Sequence, residues 1–314
     1  MTRRILIFLL MFGLLMLSFL YLAMGDKFIS FCQIFTSPLV LSLRLPRLIL
    51  ILALAFLLSS SGLLIQTMTG NPIAEMTTLG MSGGSSLALS LLLVFGGFTS
   101  FAWNIVFSVL GAALCLTLVI VFTARSKFQP TKLILVGTSV GLFASSIASS
   151  LSFAHNDAAS YLRWIVGSFS AATWGKAELA WLFLPVILLL ILVFSKSIWL
   201  LSFGDELAQS LGVNIQRIRF LIIAIVTLAT GLSVALVGVI SFIGLMSAQI
   251  AQIIEKKRFF VILLLSNLIA AIILVFADLL ARNLFLPYEF PAGALTLLLG
   301  APFFLFLVLR KEAK

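Results

Sequence analysis

The sequence predicts an all-α polytopic membrane protein with about ten transmembrane helices. Three observations carry that prediction. Hydrophobic residues make up 62% of the chain and charged residues only 10%, against about 25% charged in ordinary soluble domains. Apolar runs near the length of a bilayer-spanning helix, roughly 20 residues, recur along the whole sequence. The basic residues, finally, fall in alternate connections rather than in a patch.

The runs occupy residues 5–24, 45–68, 81–97, 102–123, 133–153, 179–194, 220–238, 239–254, 259–280 and 290–309. The first follows Arg3 and Arg4. It is longer than the apolar core of a signal peptide ending near Ala23, so it reads as a retained span. The uncharged stretch 220–254 is too long for one span and tight for two. It predicts two short helices joined by a sharp turn between Gly238 and Ser241. So little chain remains outside the spans that residues 1–314 read as one membrane domain.

A net charge of +10 would suit a nucleic-acid binder if it were clustered. With the amino terminus inside, inner segments hold Arg3, Arg4, Arg125, Lys127, Lys132, Lys196, Arg217, Arg219, Lys256, Lys257, Arg258, Arg310, Lys311 and Lys314. Outer segments hold Lys27, Arg44, Arg47, Arg163, Lys176 and Arg282. This asymmetry follows the positive-inside rule, places both termini in the cytoplasm and excludes nucleic acid as the partner.

The most polar stretch lies at 203–219. Gly204 breaks the preceding run, and Asp205 and Glu206 set negative charge at the start of a short helix. Leu207 and Leu211 fall four apart on one face around Ala208, and Gly212 suits a left-handed helix end. The expectation is an amphipathic helix at the inner surface that offers a leucine pair to a partner.

At the outer side, Arg44 and Arg47 flank Pro46, which suits a first helical turn. They read either as interfacial anchors or as a docking site for acidic groups. Asp278 and Arg282, four apart, are placed to pair on one helix face, and Arg282 also reads as an outer cation beside Arg44 and Arg47. On the inner side, Asn71, Pro72 and Ile73 break a helix before the glycine-rich 79–86. Irregular backbone at membrane depth is tolerated where it is buried or lines a cavity, so the segment reads as a turn or a gate. Gly137, Gly141, Ser145 and Ser149 form one small-residue face, for close packing or for lining a passage. The last run carries Gly293, Thr296 and Gly300.

Catalytic and metal chemistry find no support. His155 is the single histidine, beside Asn156 and Asp157 in an outer loop, and no His/Cys/carboxylate cluster has metal-ligand spacing. Cys32 and Cys115 make no disulfide framework. A phosphate loop and an acid/base or nucleophile set are both lacking. An ion-coupled transporter would need intramembrane acids, of which Asp278 is the one good candidate.

Seven segments together resemble the iron-siderophore, haem and vitamin B12 importer permease family, the BtuC-like transmembrane subunits of type II ATP-binding-cassette importers. They are Arg44-Leu45-Pro46-Arg47; Asn71-Pro72-Ile73-Ala74 with Leu79-Gly80-Met81-Ser82-Gly83-Gly84; Gly167-Ser168-Phe169-Ser170 with Trp174; Gly204-Asp205-Glu206 with Leu211-Gly212-Val213; Phe242-Ile243-Gly244-Leu245; Ala277-Asp278-Leu279-Leu280-Ala281-Arg282; and Gly300-Ala301-Pro302-Phe303-Phe304. The likeness spans about residues 41–310 and is strongest to the ferric-siderophore branch. It implies a BtuC-like ten-helix fold paired with a second permease, two ATPase subunits that carry ATP and Mg, and a periplasmic binding protein. No cofactor is implied on this chain. By position, Gly204, Asp205, Glu206, Leu207, Ala208, Leu211 and Gly212 match the coupling helix. Arg44, Arg47 and Arg282 match the binding-protein contacts, and Asn71, Pro72, Ile73 and Thr131 the cytoplasmic gate. Gly137, Gly141, Ser145, Ser149, Gly293 and Thr296 would line the pathway. Ala248, Gln249 and Gln252 stand where the family often has proline, histidine and arginine, a departure that suits a paralogous heterodimer.

Overall fold

The computed structural model describes residues 2–25, 28–30, 33–34, 36–96, 100–124, 130–155, 158–284 and 288–312. Lys27, Cys32, Arg125, Lys127, Asn156, Asp157, Pro287 and Lys314 lie outside them, as do the side chains of Arg3, Thr131, Arg163, Arg310 and Lys311. Every regular element among the described residues is helical. They are α1 (Thr2–Ala23), α2 (Leu45–Thr69) entered through a π turn at Val40–Arg44, α3 (Met81–Leu91) extended by a π turn at Leu92–Gly96, α4 (Phe101–Ala124), α5 (Pro130–Ala154), α6 (Ala158–Ile165), α7 (Trp174–Val193), α8 (Ser195–Leu201), α9 (Asp205–Ser210), α10 (Ile215–Val237), α11 (Ile243–Ile254), α12 (Phe259–Asn283) and α13 (Ala292–Glu312).

Seven of these are long and apolar enough to cross a bilayer, and three shorter apolar helices lie at Met81–Gly96, Ile243–Ile254 and Ala292–Leu305. Together they occupy the ten runs read from the sequence. The 220–254 stretch does split where expected: α10 stops at Val237, Gly238 takes φ 88°, and Phe242 enters α11 at φ 66°. Its first helix is longer than expected, with 23 residues. It starts at Ile215 because the Asn214 side chain accepts from the Arg217 amide at 3.1 Å and caps it. The polar arginine turn therefore belongs to the helix rather than to a connection.

The chain divides into two compact units. The first holds residues 1–60, 168–188 and 242–314. There α12 packs against α1, α11 and α13. Hydroxyls tie the helices at depth: Ser59 and Ser266 meet at 2.6 Å, Ser247 donates to Ser59 at 3.2 Å, and Ser60 donates to the Asn267 side chain at 3.1 Å. Such cross-helix hydroxyl bonds replace the hydrophobic drive that lipid removes. α1 keeps Phe8, Phe12 and Leu15 exposed, a hydrocarbon-facing surface. Its carboxyl end, Tyr21 to Ala23, is buried.

The second unit holds residues 61–167 and 189–241. Its centre is α3, packed on α4, α5 and α10. Small residues allow the approach. A Cβ on Gly84 would lie 2.3 Å from the Gly111 carbonyl oxygen, and one on Gly83 would lie 2.3 Å from that of Gly141. Ser85 donates to the Ser108 carbonyl at 2.9 Å, and Ser108 donates to that of Gly231 at 2.7 Å. Cys115, on α4, is a buried thiol.

Candidate functional site

Four places in the chain bring functional side chains together. The first is the segment from α8 to α10. Gly204 takes φ 107°, a conformation glycine alone adopts without cost, and turns the chain into α9. After Ser210 the helix closes as a Schellman motif: the Val213 amide donates to Ala208 at 3.0 Å and the Gly212 amide to Gln209 at 3.0 Å. Gly212 supplies the left-handed residue at φ 82°. Ala208 is fully buried, while Leu207 and Leu211 are 48% and 58% exposed. Asp205 accepts from the Arg219 guanidinium at 2.9 and 3.1 Å, tying α9 to the first turns of α10. The arrangement is a short helix braced on one side and apolar on the open one.

The second place is a cleft of about 280 Å³ whose lining includes Arg44, Arg47, Arg282, Glu289, Phe169 and Ser170. The three arginines expected at an open outer surface are each under 7% exposed. Their heads turn inward because buried acceptors await them. Arg47 forks onto Asp278, Nε to Oδ2 at 2.8 Å and Nη2 to Oδ1 at 2.9 Å, and gives Nη1 to Glu289 at 2.9 Å. Tyr21 donates to Asp278 at 2.7 Å. Arg44 donates to the carbonyls of Leu22 and Ala23 at 2.7 and 3.0 Å. Arg282 donates to those of Tyr21 and Met24 and lies over the Tyr21 ring at 4.7 Å. These carbonyls lie at and just past the end of α1, where helical donors run out, and that of Ala23 also accepts from the Ile29 amide at 3.0 Å.

The expected Asp278–Arg282 pair is thus corrected. Asp278 is taken by Arg47, 231 residues away in sequence, and Arg282 caps α1 instead. Sequence reading missed Tyr21 and Glu289. The signal available for Glu289 was its rarity, as one of ten acids in the chain.

The third place is the break after α2. The Asn71 side chain accepts from the Ile73 amide at 3.2 Å, and its own amide donates to the Thr69 hydroxyl at 3.3 Å. Glu75 is buried: its amide donates to Thr78 at 3.0 Å, and its carboxylate accepts from Thr77 at 3.0 Å. The segment is a structured turn with its polar groups satisfied. Asn71 is buried, and Pro72 and Ile73 are half-buried. Thr131 falls in the first turn of α5.

The small-residue face of α5 divides. Gly137 and Gly141 are buried, where Cβ atoms would meet the Thr78 carbonyl oxygen at 2.3 Å and the Gly80 Cα at 2.8 Å. Both serve close packing, and Gly141 also borders the cleft that Ser145 lines. Ser145 lines a cleft of about 290 Å³ with Thr77, Thr78, Ser82 and Thr138, and Ser149 is half-buried. On α13, Gly293 is buried and Thr296 fully so, its hydroxyl bonded to the Gly293 carbonyl at 2.9 Å. In this conformation those two positions face protein, because α13 turns Leu297, Leu298 and Leu299 outward.

The model of the FecCD transport family matches residues 5–310. The chain is 35% identical over 269 residues to the Fe(3+)-citrate import system permease protein YfmD of Bacillus subtilis, covering 86% of this chain and 80% of that one. It is 33% identical over 304 residues to the vitamin B12 import system permease protein BtuC of Vibrio cholerae, covering 93% and 90%. Its fold matches a solved structure described as an inward-facing, metal-chelate type ABC transporter, with TM-score 0.85, 26% identity, and 98% and 99% of the two chains covered. With the family model over residues 5–310 and relatives above 30% identity along most of both chains in agreement, the chain belongs to the FecCD transport family.

Proposed function

We propose that this chain is the transmembrane permease subunit of an ATP-binding-cassette importer that moves a ferric siderophore from a periplasmic binding protein to the cytoplasm. The observation that carries the reading is the open Leu207/Leu211 face of α9, buttressed by buried Ala208 and by the Asp205–Arg219 pair. A leucine pair in that position has no use inside this chain and suits a groove on a separate ATPase. Residues 1–314 act as one permease domain in a bacterial inner membrane with both termini in the cytoplasm, a topology supported by the distribution of lysine and arginine. ATP and Mg belong to two ATPase subunits, and a paralogous second permease completes the pathway.

Closure of the ATPases presses on α9. The Asp205–Arg219 pair passes that displacement into α10, and the turn holding Asn71, Pro72 and Ile73 opens or shuts the inner end, with Thr131 beside it. Ser145 and Ser149 offer hydroxyls along the passage, with Gly137 and Gly141 on the same helix face. At the other side, Arg44, Arg47 and Arg282 form a cationic cleft that takes acidic groups of the binding protein. Similarity to YfmD, an Fe(3+)-citrate permease, favours an iron chelate.

Similarity to BtuC of Vibrio cholerae favours vitamin B12 as the second reading. Uptake by cells carrying the assembled importer separates them. Accumulation of ⁵⁵Fe from ferric citrate or hydroxamates, unaffected by excess cobalamin, supports the first. Labelled cobalamin uptake without iron uptake replaces it with the second. Uptake of either that persists without the ATPase overturns both.

A further inference from the structure

A cleft of about 500 Å³ in the second unit meets the transport reading only at Arg219, the partner of Asp205. Ile120, Leu133, Phe220 and Ile223 belong to its apolar wall, and Gln216 and Arg219 add polar heads. Its volume lies within the roughly 300–1,000 Å³ of small-molecule pockets. Four helix ends meet there: the last turns of α2 and α4, the first turn of α5 and the first turns of α10. These ends share one face of the bundle, the face that bears α9. Phe220 is 74% exposed, so the cleft opens onto the outside of this chain, and Arg219 is half-buried with its guanidinium on Asp205.

We infer that this cleft binds an anionic phospholipid, an acyl chain lying along the apolar wall and the phosphate headgroup competing with Asp205 for Arg219. Two arguments select that occupant. An apolar cleft opening among membrane helices is bathed in hydrocarbon. A guanidinium at its polar end, now held by both Asp205 oxygens, matches phosphate in the same bidentate way it matches a carboxylate. Basic pockets between helices at the cytoplasmic face recognise anionic lipid in this way.

The competition gives the site a consequence. Asp205–Arg219 is the ion pair that ties α9 to α10. A headgroup on Arg219 releases α9, and a partner that fixes Asp205 on Arg219 expels the lipid, because coupling between two ligands is reciprocal. The cytoplasmic leaflet is assigned by the topology proposed above; the binding itself needs only membrane residence.

The test uses the purified full-length chain without nucleotide or substrate, so its failure leaves the transport reading standing. Phosphatidylglycerol and phosphatidylcholine of matched chains are titrated, and retained lipid is read by native mass spectrometry. The native chain holds phosphatidylglycerol about fivefold better. Arg219→Gln abolishes the preference, Arg219→Lys retains part of it, and Asp205→Asn strengthens it. Ile223→Trp, which fills the cleft with Arg219 intact, loses phosphatidylglycerol. Millimolar inorganic phosphate fails to displace the lipid. Equal retention of the two lipids by the native chain overturns the proposal. So does a preference that survives Arg219→Gln, an equal loss in Arg217→Gln, displacement by phosphate, or no gain in Asp205→Asn.

Discussion

Arg47 joins two acids of unlike surroundings: fully buried Asp278 at 2.8 Å and Glu289, whose side chain is 40% exposed, at 2.9 Å. The buried half of that bridge is structural, because the Tyr21 hydroxyl and two guanidinium nitrogens satisfy the Asp278 carboxylate together. An acid so occupied is poorly placed to carry a coupling ion, which weakens the secondary-transporter alternative.

Asp278→Ala is expected to destabilise the chain by about 3–5 kcal/mol, because it takes the buried counter-charge from Arg47 and leaves only the exposed Glu289. Thermal unfolding in detergent measures it. The double variant Asp278→Ala with Arg47→Met should recover much of the loss. A double variant no more stable than the single one would refute the counter-charge explanation.

Glu289→Gln removes the solvent-side competitor for Arg47. Docking of the binding protein should tighten about two- to fivefold at low salt, the scale of an exposed ion pair, and the gain should vanish near 1 M salt. Arg44→Glu with Arg47→Glu should weaken docking, and unchanged affinity in that pair would remove the cleft from the interface. Surface plasmon resonance against the binding protein reads both.

Leu207→Asp with Leu211→Asp should abolish uptake and co-purification of the ATPase. Membrane insertion and thermal midpoint should hold, since both side chains are exposed. Ala208→Asp should lower the midpoint as well, because Ala208 is fully buried and a charge placed there goes unpaired. A leucine double variant that still recruits the ATPase would overturn the coupling assignment.

Gly80→Ala combines backbone strain at φ 74° with a Cβ 2.6 Å from the Gly137 carbonyl oxygen. The expected cost is about 2–5 kcal/mol. Gly13→Ala, where nothing lies within 4 Å, should be neutral or slightly stabilising. Thermal midpoints of the two variants test the contrast.

Helix number and the α10–α11 elbow were legible because lipid demands long apolar runs and glycine marks the breaks. The α9 segment was legible for the opposite reason: polar chain between apolar runs has few places to go. The partner of Asp278 was not. Periodicity reveals neighbours on one helix, Arg282 among them, whereas Arg47 arrives from another helix, and Arg282 is drawn off by the carbonyl end of α1. The stripe on α5 was half legible. Small residues announce close approach, and only the position of 78–83 shows that Gly137 spends it on packing, that Ser145 lines a cleft, and that Gly141 does both. The short helices α6 and α8 carry no run long enough to stand out.

Phe242, held at φ 66°, sets its ring into the notch left by Gly300, where even a methyl would come within 2.2 Å of its Cβ. The ring also meets Phe304 edge-on at 6.2 Å. A peg seated in such a slot forbids α13 from sliding or spinning past the head of α11, since its neighbours Leu299 and Ala301 both carry the side chain that Gly300 lacks. The two helices are keyed, and whatever turns one of them turns the other.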